Sequence, residues 1–266
     1  MNICILGTGK MGTWLAKMLS TNHTVSVYDS ALRKAEAISG VRVLKDIAQV
    51  RDSSPQLLIN SVSLQNTVAS FREVLPFLSK ECLLCDIASV KGPLPAFYRE
   101  AGFRFVSVHP MFGPTFADLG DLRKENAVII SDSDDEGKKF FRELFGTLGV
   151  TQFEYSFSEH DVMMAYSLTL PFVSSMVFAS CVSTETVPGT TFKHHLEVAR
   201  GLLSEDDFLL SEIIFNPHSL AQLEKISGRL NFLWHIIRNR DTGEAVRFFE
   251  GLRKNVRPNE IRPQTT

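Results

Sequence analysis

The start of the chain limits most what it can fold into. Asn2-Ile3-Cys4-Ile5-Leu6 is a short apolar run that passes directly into Gly7-Thr8-Gly9-Lys10-Met11-Gly12. Trp14, Leu15, Met18 and Leu19 then recur at helical spacing. A strand, a glycine turn and a helix in that order form the dinucleotide fingerprint. Gly7 permits the tight turn, Gly9 lets backbone approach a pyrophosphate, and Gly12 lets helix and strand pack closely. The helix start also offers unpaired N–H groups and a positive dipole end to phosphates. A second run, residues 24–28, ends at Asp29, about the distance onward at which an acidic side chain takes ribose hydroxyls. A carboxylate there repels a 2′-phosphate, so NAD is expected ahead of NADP, with Arg33 and Lys34 near enough to soften the preference. Asp29 also suits the N-cap of the helix that follows. Gly7, Thr8, Gly9, Lys10, Met11, Gly12, Asp29 and Ser63 are the candidate cofactor contacts.

Short apolar runs alternate with amphipathic stretches through the first part. Strands are expected around residues 2–6, 24–28, 41–44, 57–62, 82–87, 104–108, 126–131 and 150–154. Helical patterns occupy much of 10–20, 30–39, 64–78, 91–101 and 135–148. This rhythm predicts an α/β unit, a Rossmann-type doubly wound and mainly parallel sheet with helices on both faces. Beyond about Ser158 no strand pattern appears, and helices are expected over 159–184, 191–203, 206–215, 218–240 and 242–255. The expected organisation is a dinucleotide-binding domain over 1–157, an all-helical domain over 158–256 and a flexible tail over 257–266. The first of these helices is apolar on most faces, which requires burial in its domain or against another subunit. A homodimer through the helical domain follows as the expectation.

Phe105-Val106-Ser107-Val108 reads as a buried strand that delivers His109 into Pro110-Met111-Phe112-Gly113-Pro114. Ligand crevices in doubly wound sheets lie past the carboxyl ends of strands. A histidine there can give or take a proton near neutral pH. The connection over 109–124 is long for a compact domain, which points to a working segment.

The charge and the cysteines narrow the alternatives. A net charge of −2 gives no overall attraction to nucleic acid or to an anionic membrane. No apolar run is read as reaching the roughly 20 residues that span a bilayer. The chain opens on a strand with no basic segment before it, so an export signal is not expected and cytoplasm is the default compartment. Cys82 and Cys85 lie three apart on an expected strand and so face opposite ways. These two, Cys4 and Cys181 are read as buried, reduced thiols. No metal site is expected, and the adjacent His194 and His195 are assigned to the surface or an interface.

The chain resembles the prephenate and arogenate dehydrogenase family of tyrosine biosynthesis over nearly its whole length. The resemblance rests on the glycine fingerprint, Asp86-Ile87-Ala88-Ser89-Val90-Lys91-Gly92, the His109 to Pro114 run, Glu159-His160-Asp161 and Asn216-Pro217-His218. It implies oxidative decarboxylation of prephenate, or of arogenate, with hydride passing to a nicotinamide cofactor. On this resemblance His109 is the catalytic base and Ser89 orients histidine and substrate; Ser89 also reads as an N-cap for the next helix. Lys91, Thr115, Phe172 and Arg200 are the candidate substrate contacts. Phe172 stands where members commonly carry a second, substrate-binding histidine, so a regulatory nucleotide-binding subunit is kept as an alternative. Arg200 or Arg229 would supply a cation for the substrate carboxylates. His160-Asp161 reads either as a hinge contact or, preferably, as a helix cap with a surface imidazole.

Overall fold

The computed structural model describes residues 1–113, 118, 120–183 and 187–256, so Thr115 and the expected tail lie outside the described residues. The chain divides into two compact units, Met1–Asp161 and Val162–Thr266. The expected boundary stood slightly earlier, at 157/158.

In the first unit β1 (Asn2–Leu6), α1 (Lys10–Leu19), β2 (Thr24–Tyr28), α2 (Leu32–Glu36), β3 (Arg42–Val43) and α3 (Val50–Ser53) form one half of the wind. The other half is β4 (Leu57–Asn60), α4 (Thr67–Val74), β5 (Leu83–Asp86), α5 (Leu94–Ala101) and β6 (Phe105–Pro110). It continues with β7 (Asn126–Ile130), α6 (Asp135–Thr147) and β8 (Thr151–Tyr155). The sheet order is β3-β2-β1-β4-β5-β6-β7-β8, parallel except where β6 meets β7. The order reverses between β1 and β4, the topological switch point where a ligand crevice opens. The eight strands fall where the apolar runs placed them. The segment 47–53 was not expected to be helical; Asp46 accepts a hydrogen bond from the Ala48 N–H and starts a short 3-10 turn that leads into α3.

Alternation along the strands sends side chains to two cores. Ile3, Ile5, Cys85, Val106 and Val108 pack on one face with Phe141 and Phe145 of α6. Cys4, Leu6, Leu84, Phe71 and Tyr98 pack on the other. Cys85 and Cys82 accordingly sit in different clusters, and both are free thiols. Cys181, expected to be buried, is exposed, because it follows the last turn of its helix.

From Phe157 the chain is helical: α7 (Phe157–Met164), a π-helical stretch Ala165–Thr169, then α8 (Leu170–Ser180). Pro171 has no N–H for the carbonyl four residues back, and the wider π turns absorb the missing bond. In the second unit α9 (Thr190–Leu202), α10 (Asp207–Ile214), α11 (Ser219–Asn239) and α12 (Thr242–Asn255) complete the helices. Phe178 packs on Phe192 and His195, and the Thr169 and Ser219 hydroxyls lie 2.6 Å apart. Asn216 is buried and its side chain accepts from the His218 N–H at the start of α11.

One expectation is overturned here. The helix Phe157–Ser180 has 24 residues and a mean hydropathy of 1.6, long and apolar enough to cross a membrane by length and composition. Serines and threonines between Val162 and Ser180 interrupt the apolar letters without adding charge, so the run is longer than it reads. A single such helix equally suits one covered by protein.

Candidate active site

The glycine turn has the geometry its sequence requires. Gly7 has φ of +85°, which glycine alone adopts without strain. A Cβ on Gly12 would stand 2.0 Å from the Gly7 carbonyl and 2.4 Å from Ser61 Oγ, so any side chain there would push α1 off the sheet. At Gly9 an added Cβ meets nothing within 4 Å, which leaves open space at the start of α1 for a phosphate. Ser61, after β4, donates to the carbonyls of Leu6 and Gly7 and ties the two sides of the switch point together. Ser61 was missed by the sequence reading; its position directly after an apolar run, two residues before Ser63, was the available signal.

Asp29 lies at the carboxyl end of β2 with both oxygens engaged. Oδ2 accepts from the Thr8 N–H at 2.6 Å and the Thr8 hydroxyl at 2.9 Å, and Oδ1 accepts from the Ala31 N–H. Burial pushes its pKa up, but these donors and the charge of Lys34 outweigh it and hold the carboxyl below the usual range. Asp29 does not cap α2, whose N-cap is Ala31. Its turn to the Ala31 N–H instead braces the loop. A cleft of about 550 Å³ beside it is lined by Gly7, Gly9, Asp29, Lys34, Ser63 and Ser70, among others. Lys10, with Lys17 and Lys34, lines an adjoining cleft of about 600 Å³ over the start of α1. Ser63 is exposed on the first cleft and accepts from the Asn66 side chain. Met11 is partly buried, with its side chain packed against the core.

The second half of the site occupies the same carboxyl edge. β5 ends at Asp86, opposite Ser107, and β6 runs on through Val108, His109 and Pro110. His109 thus lies within the strand, not after it, because β7 continues the ladder on the other side with Val128 opposite His109. Phe112 meets Trp14 of α1 edge-on at 5.7 Å and links the His109 loop to the fingerprint helix.

Asp86, Ser107 and His109 alternate onto one face with Lys91, Tyr98 and His160. Lys91 Nζ donates to Asp86 Oδ1 at 2.7 Å and to the Val108 carbonyl at 2.8 Å, and Tyr98 OH donates to Asp86 Oδ2 at 2.7 Å. Lys91 and Asp86 are both fully buried. Lys91 is therefore no substrate contact. Its ammonium is held by Asp86 and by the carbonyl just before His109, and that clamp fixes the ends of β5 and β6. Tyr98 was not anticipated; Leu94, Phe97 and Tyr98 at i, i+3 and i+4 mark the inward face of α5.

His109 is buried, and its Nδ1 lies 3.1 Å from Nε2 of His160. Burial, the neighbouring His160 ring and the Lys91 charge push its pKa well below the ordinary histidine value, so it is neutral at pH 7. His160 is fully buried, which overturns the surface-imidazole reading. Burial lowers its pKa as well, against a raising contribution from Asp161. Asp161 does not cap the helix. Ser156 and Glu159 do so in a reciprocal capping box, with the Ser156 N–H donating to Glu159 at 2.8 Å and the Glu159 N–H to Ser156 Oγ at 3.3 Å. The box starts α7 at Phe157, whose ring packs on Phe105, and His160 follows one turn later on the same face.

Ser89 is half-buried in the segment after β5. It does not cap α5, which begins at Leu94 behind Pro93. In the second unit Phe172 is buried on α8, Arg200 is exposed in the last turn of α9 and Arg229 is exposed on α11. His194 and His195 are exposed on α9. Among the described residues no group of three or more His, Cys, Asp or Glu could hold a metal.

The family model described as prephenate dehydrogenase, nucleotide-binding domain, matches residues 15–150, more than half of the chain. A T-protein of Enterobacter agglomerans is 28% identical over 84% of this chain and 58% of its own length. A probable arogenate/prephenate dehydrogenase of Methanocaldococcus jannaschii is 22% identical over 94% of this chain and 59% of its own. The chain thus spans about three fifths of the curated relatives it matches. The fold matches prephenate dehydrogenase from Aquifex aeolicus, solved with hydroxyphenyl propionate and NAD+, at a TM-score of 0.78, 21% identity and 96% coverage of both chains. It matches Synechocystis arogenate dehydrogenase at a TM-score of 0.76, 17% identity and 96% and 98% coverage. The chain belongs to the prephenate dehydrogenase family, with its nucleotide-binding domain in the first unit.

Proposed function

We propose that the protein is an NAD-dependent dehydrogenase that oxidatively decarboxylates prephenate to 4-hydroxyphenylpyruvate in tyrosine biosynthesis. The observation that carries this reading is a buried His109 on the sheet edge that also bears the Gly7 turn. The open space at Gly9, the unpaired N–H groups of α1 and the carboxylate of Asp29 suit the pyrophosphate and ribose of NAD. Bound there, NAD supplies the hydride acceptor. Ser63 and Lys10 border the same cofactor path. Lys34 adds a positive charge that tempers the exclusion of NADP.

His109 takes the hydroxyl proton of the substrate as hydride leaves the same carbon, a contribution on the order of 10²–10⁴-fold in rate. The bond to the ring carboxylate breaks to release carbon dioxide. Its electron pair completes the aromatic ring, and the new phenol oxygen regains a proton. Ser89 orients the substrate hydroxyl.

We also infer a homodimer through the helical unit, supported by its exposed apolar side chains, and a cytoplasmic location that suits reduced Cys4, Cys82 and Cys85. Arogenate is the second substrate reading, because the names of relatives include both activities. Incubation with NAD and either acid, followed by absorbance of the reduced cofactor, decides the matter. Faster turnover of prephenate supports the reading, faster turnover of arogenate moves it to the second substrate, and NAD binding with neither oxidised overturns it in favour of a regulatory subunit.

A further inference from the structure

The proposed chemistry gives no part to the buried ring of His160. His160 is wholly enclosed, yet a polar ring without a purpose is costly to bury. Its Nε2 lies 3.1 Å from Nδ1 of His109, with the two rings at 67°. Its Nδ1 lies 3.5 Å from Asp161 Oδ1, a long contact. Two neutral imidazoles sharing one hydrogen bond need one donor and one acceptor. A carboxylate only accepts, so the His160 nitrogen facing Asp161 carries the hydrogen. Nε2 of His160 is then bare and accepts, which places the hydrogen of His109 on Nδ1. The lone pair of His109 is left on Nε2.

We propose that His160 is a positioning residue: held in its own tautomer by Asp161, it locks His109 as the Nδ1–H form with Nε2 free to take a proton. This deepens, and rests on, the assignment of His109 as the base. The opposite arrangement would aim a lone pair of His160 at a carboxylate and block Nε2 of His109 with a hydrogen. When His109 receives the proton at Nε2, its Nδ1–H bond to His160 becomes charge-assisted and roughly twice as strong as a neutral one. The charged groups facing the pair are Lys91, Asp86 and Asp161. Lys91 is tied to Asp86 and the Val108 carbonyl, so it does not compete for the ring nitrogens. His160 reaches this place because the capping box begins α7 three residues earlier.

The test is nitrogen NMR of histidine-labelled full-length protein without substrate, with His109 assigned by its loss in His109→Asn. The wild type should show a protonated Nδ1 and a bare Nε2 on His109. His160→Leu should move His109 toward the Nε2–H form, and His160→Gln, whose side-chain carbonyl can accept, should restore Nδ1–H. On the substrate that turns over, the Leu variant should lose at least about tenfold in kcat, short of the loss at His109 itself, with KM for NAD unchanged and the Gln variant recovering most of it. A wild-type His109 protonated at Nε2 overturns the proposal even if the Leu variant fails to fold. So does a folded Leu variant with an unchanged tautomer. Because the tautomer is read without substrate, a protein inert to both acids counts against the reaction and leaves this test standing.

Discussion

Phe141 in α6 and Trp234 in α11 are both large aromatic residues on amphipathic helices, yet Phe141 is 1% exposed and Trp234 is 59% exposed. The contrast holds for the units that carry them. The sheet unit fills two clusters, one on each face, and even its polar groups Asp86, Lys91 and His109 are enclosed and mostly paired. Among the described residues, every exposed large hydrophobic except Met1 lies at or after Val162. Leu220, Leu223, Leu230, Trp234 and Ile237 all stand out from α11 alone. A doubly wound sheet closes its own core because helices cover both faces. The sheet unit thus encloses its large apolar side chains, and the helical unit leaves many of its own exposed.

The largest effect should come from the base. His109→Asn is expected to lower turnover by about 10²–10⁴-fold while NAD affinity, measured by fluorescence titration, stays within about twofold. A comparable loss of NAD binding would show that the enclosed polar cluster holds the cofactor cleft together and does not act on substrate.

Next, truncation of the two aromatics sets the units against each other. Phe141→Ala should cost about 3–5 kcal/mol in urea unfolding, since it empties a filled core. Trp234→Ala should cost the isolated fold within about 0.5 kcal/mol. If Trp234 is an anchor of the dimer, association should weaken by about 2 kcal/mol or more, roughly thirtyfold in Kd by sedimentation. Unchanged association would move the dimer contact to other exposed residues of the helical unit, and a monomeric wild type would end the contrast as stated.

A smaller effect belongs to the cofactor cleft. Asp29→Ala removes a carboxylate that accepts from the Thr8 and Ala31 N–H groups. The ratio of NAD to NADP affinity should fall by about tenfold or more. If both affinities fall equally, Asp29 braces the loop and does not read the ribose.

What the sequence disclosed follows the same division. The strands and the fingerprint were legible because period-two burial and glycine stereochemistry are local. The helices of the second part were legible too, since 3.6-residue periodicity needs no knowledge of the partner surface. The π stretch at 165–169 was not, because it answers one proline through the surrounding turns. The site was half legible. His109 and the glycine turn carry their signals in neighbouring letters. Lys91 pairs across the strand ends, and His160 meets a residue 51 positions away, so neither burial could be read from spacing. The one local clue to His160 was Ser156-x-x-Glu159, a capping box that puts Phe157 and His160 on one face.

The smallest expected effect is a pH dependence confined to the sheet unit. His109 and His160 both have pKa values depressed in the folded state, so the native protein binds fewer protons than the unfolded chain once the pH falls below about 6.5. Stability is then full above that value and drops as the pH falls toward the folded pKa values. The slope per fully mismatched histidine is about 1.4 kcal/mol per pH unit. Urea midpoints between neutral and mildly acid pH should therefore fall less steeply in His109→Asn, which has no ring to charge. For the same reason kcat/KM should stay level through neutrality and fall only on the acid side of the ordinary histidine value. An acid limb centred at or above 6.5 would mean that the ring is hydrated and free to charge, and the enclosed half of the comparison would be lost.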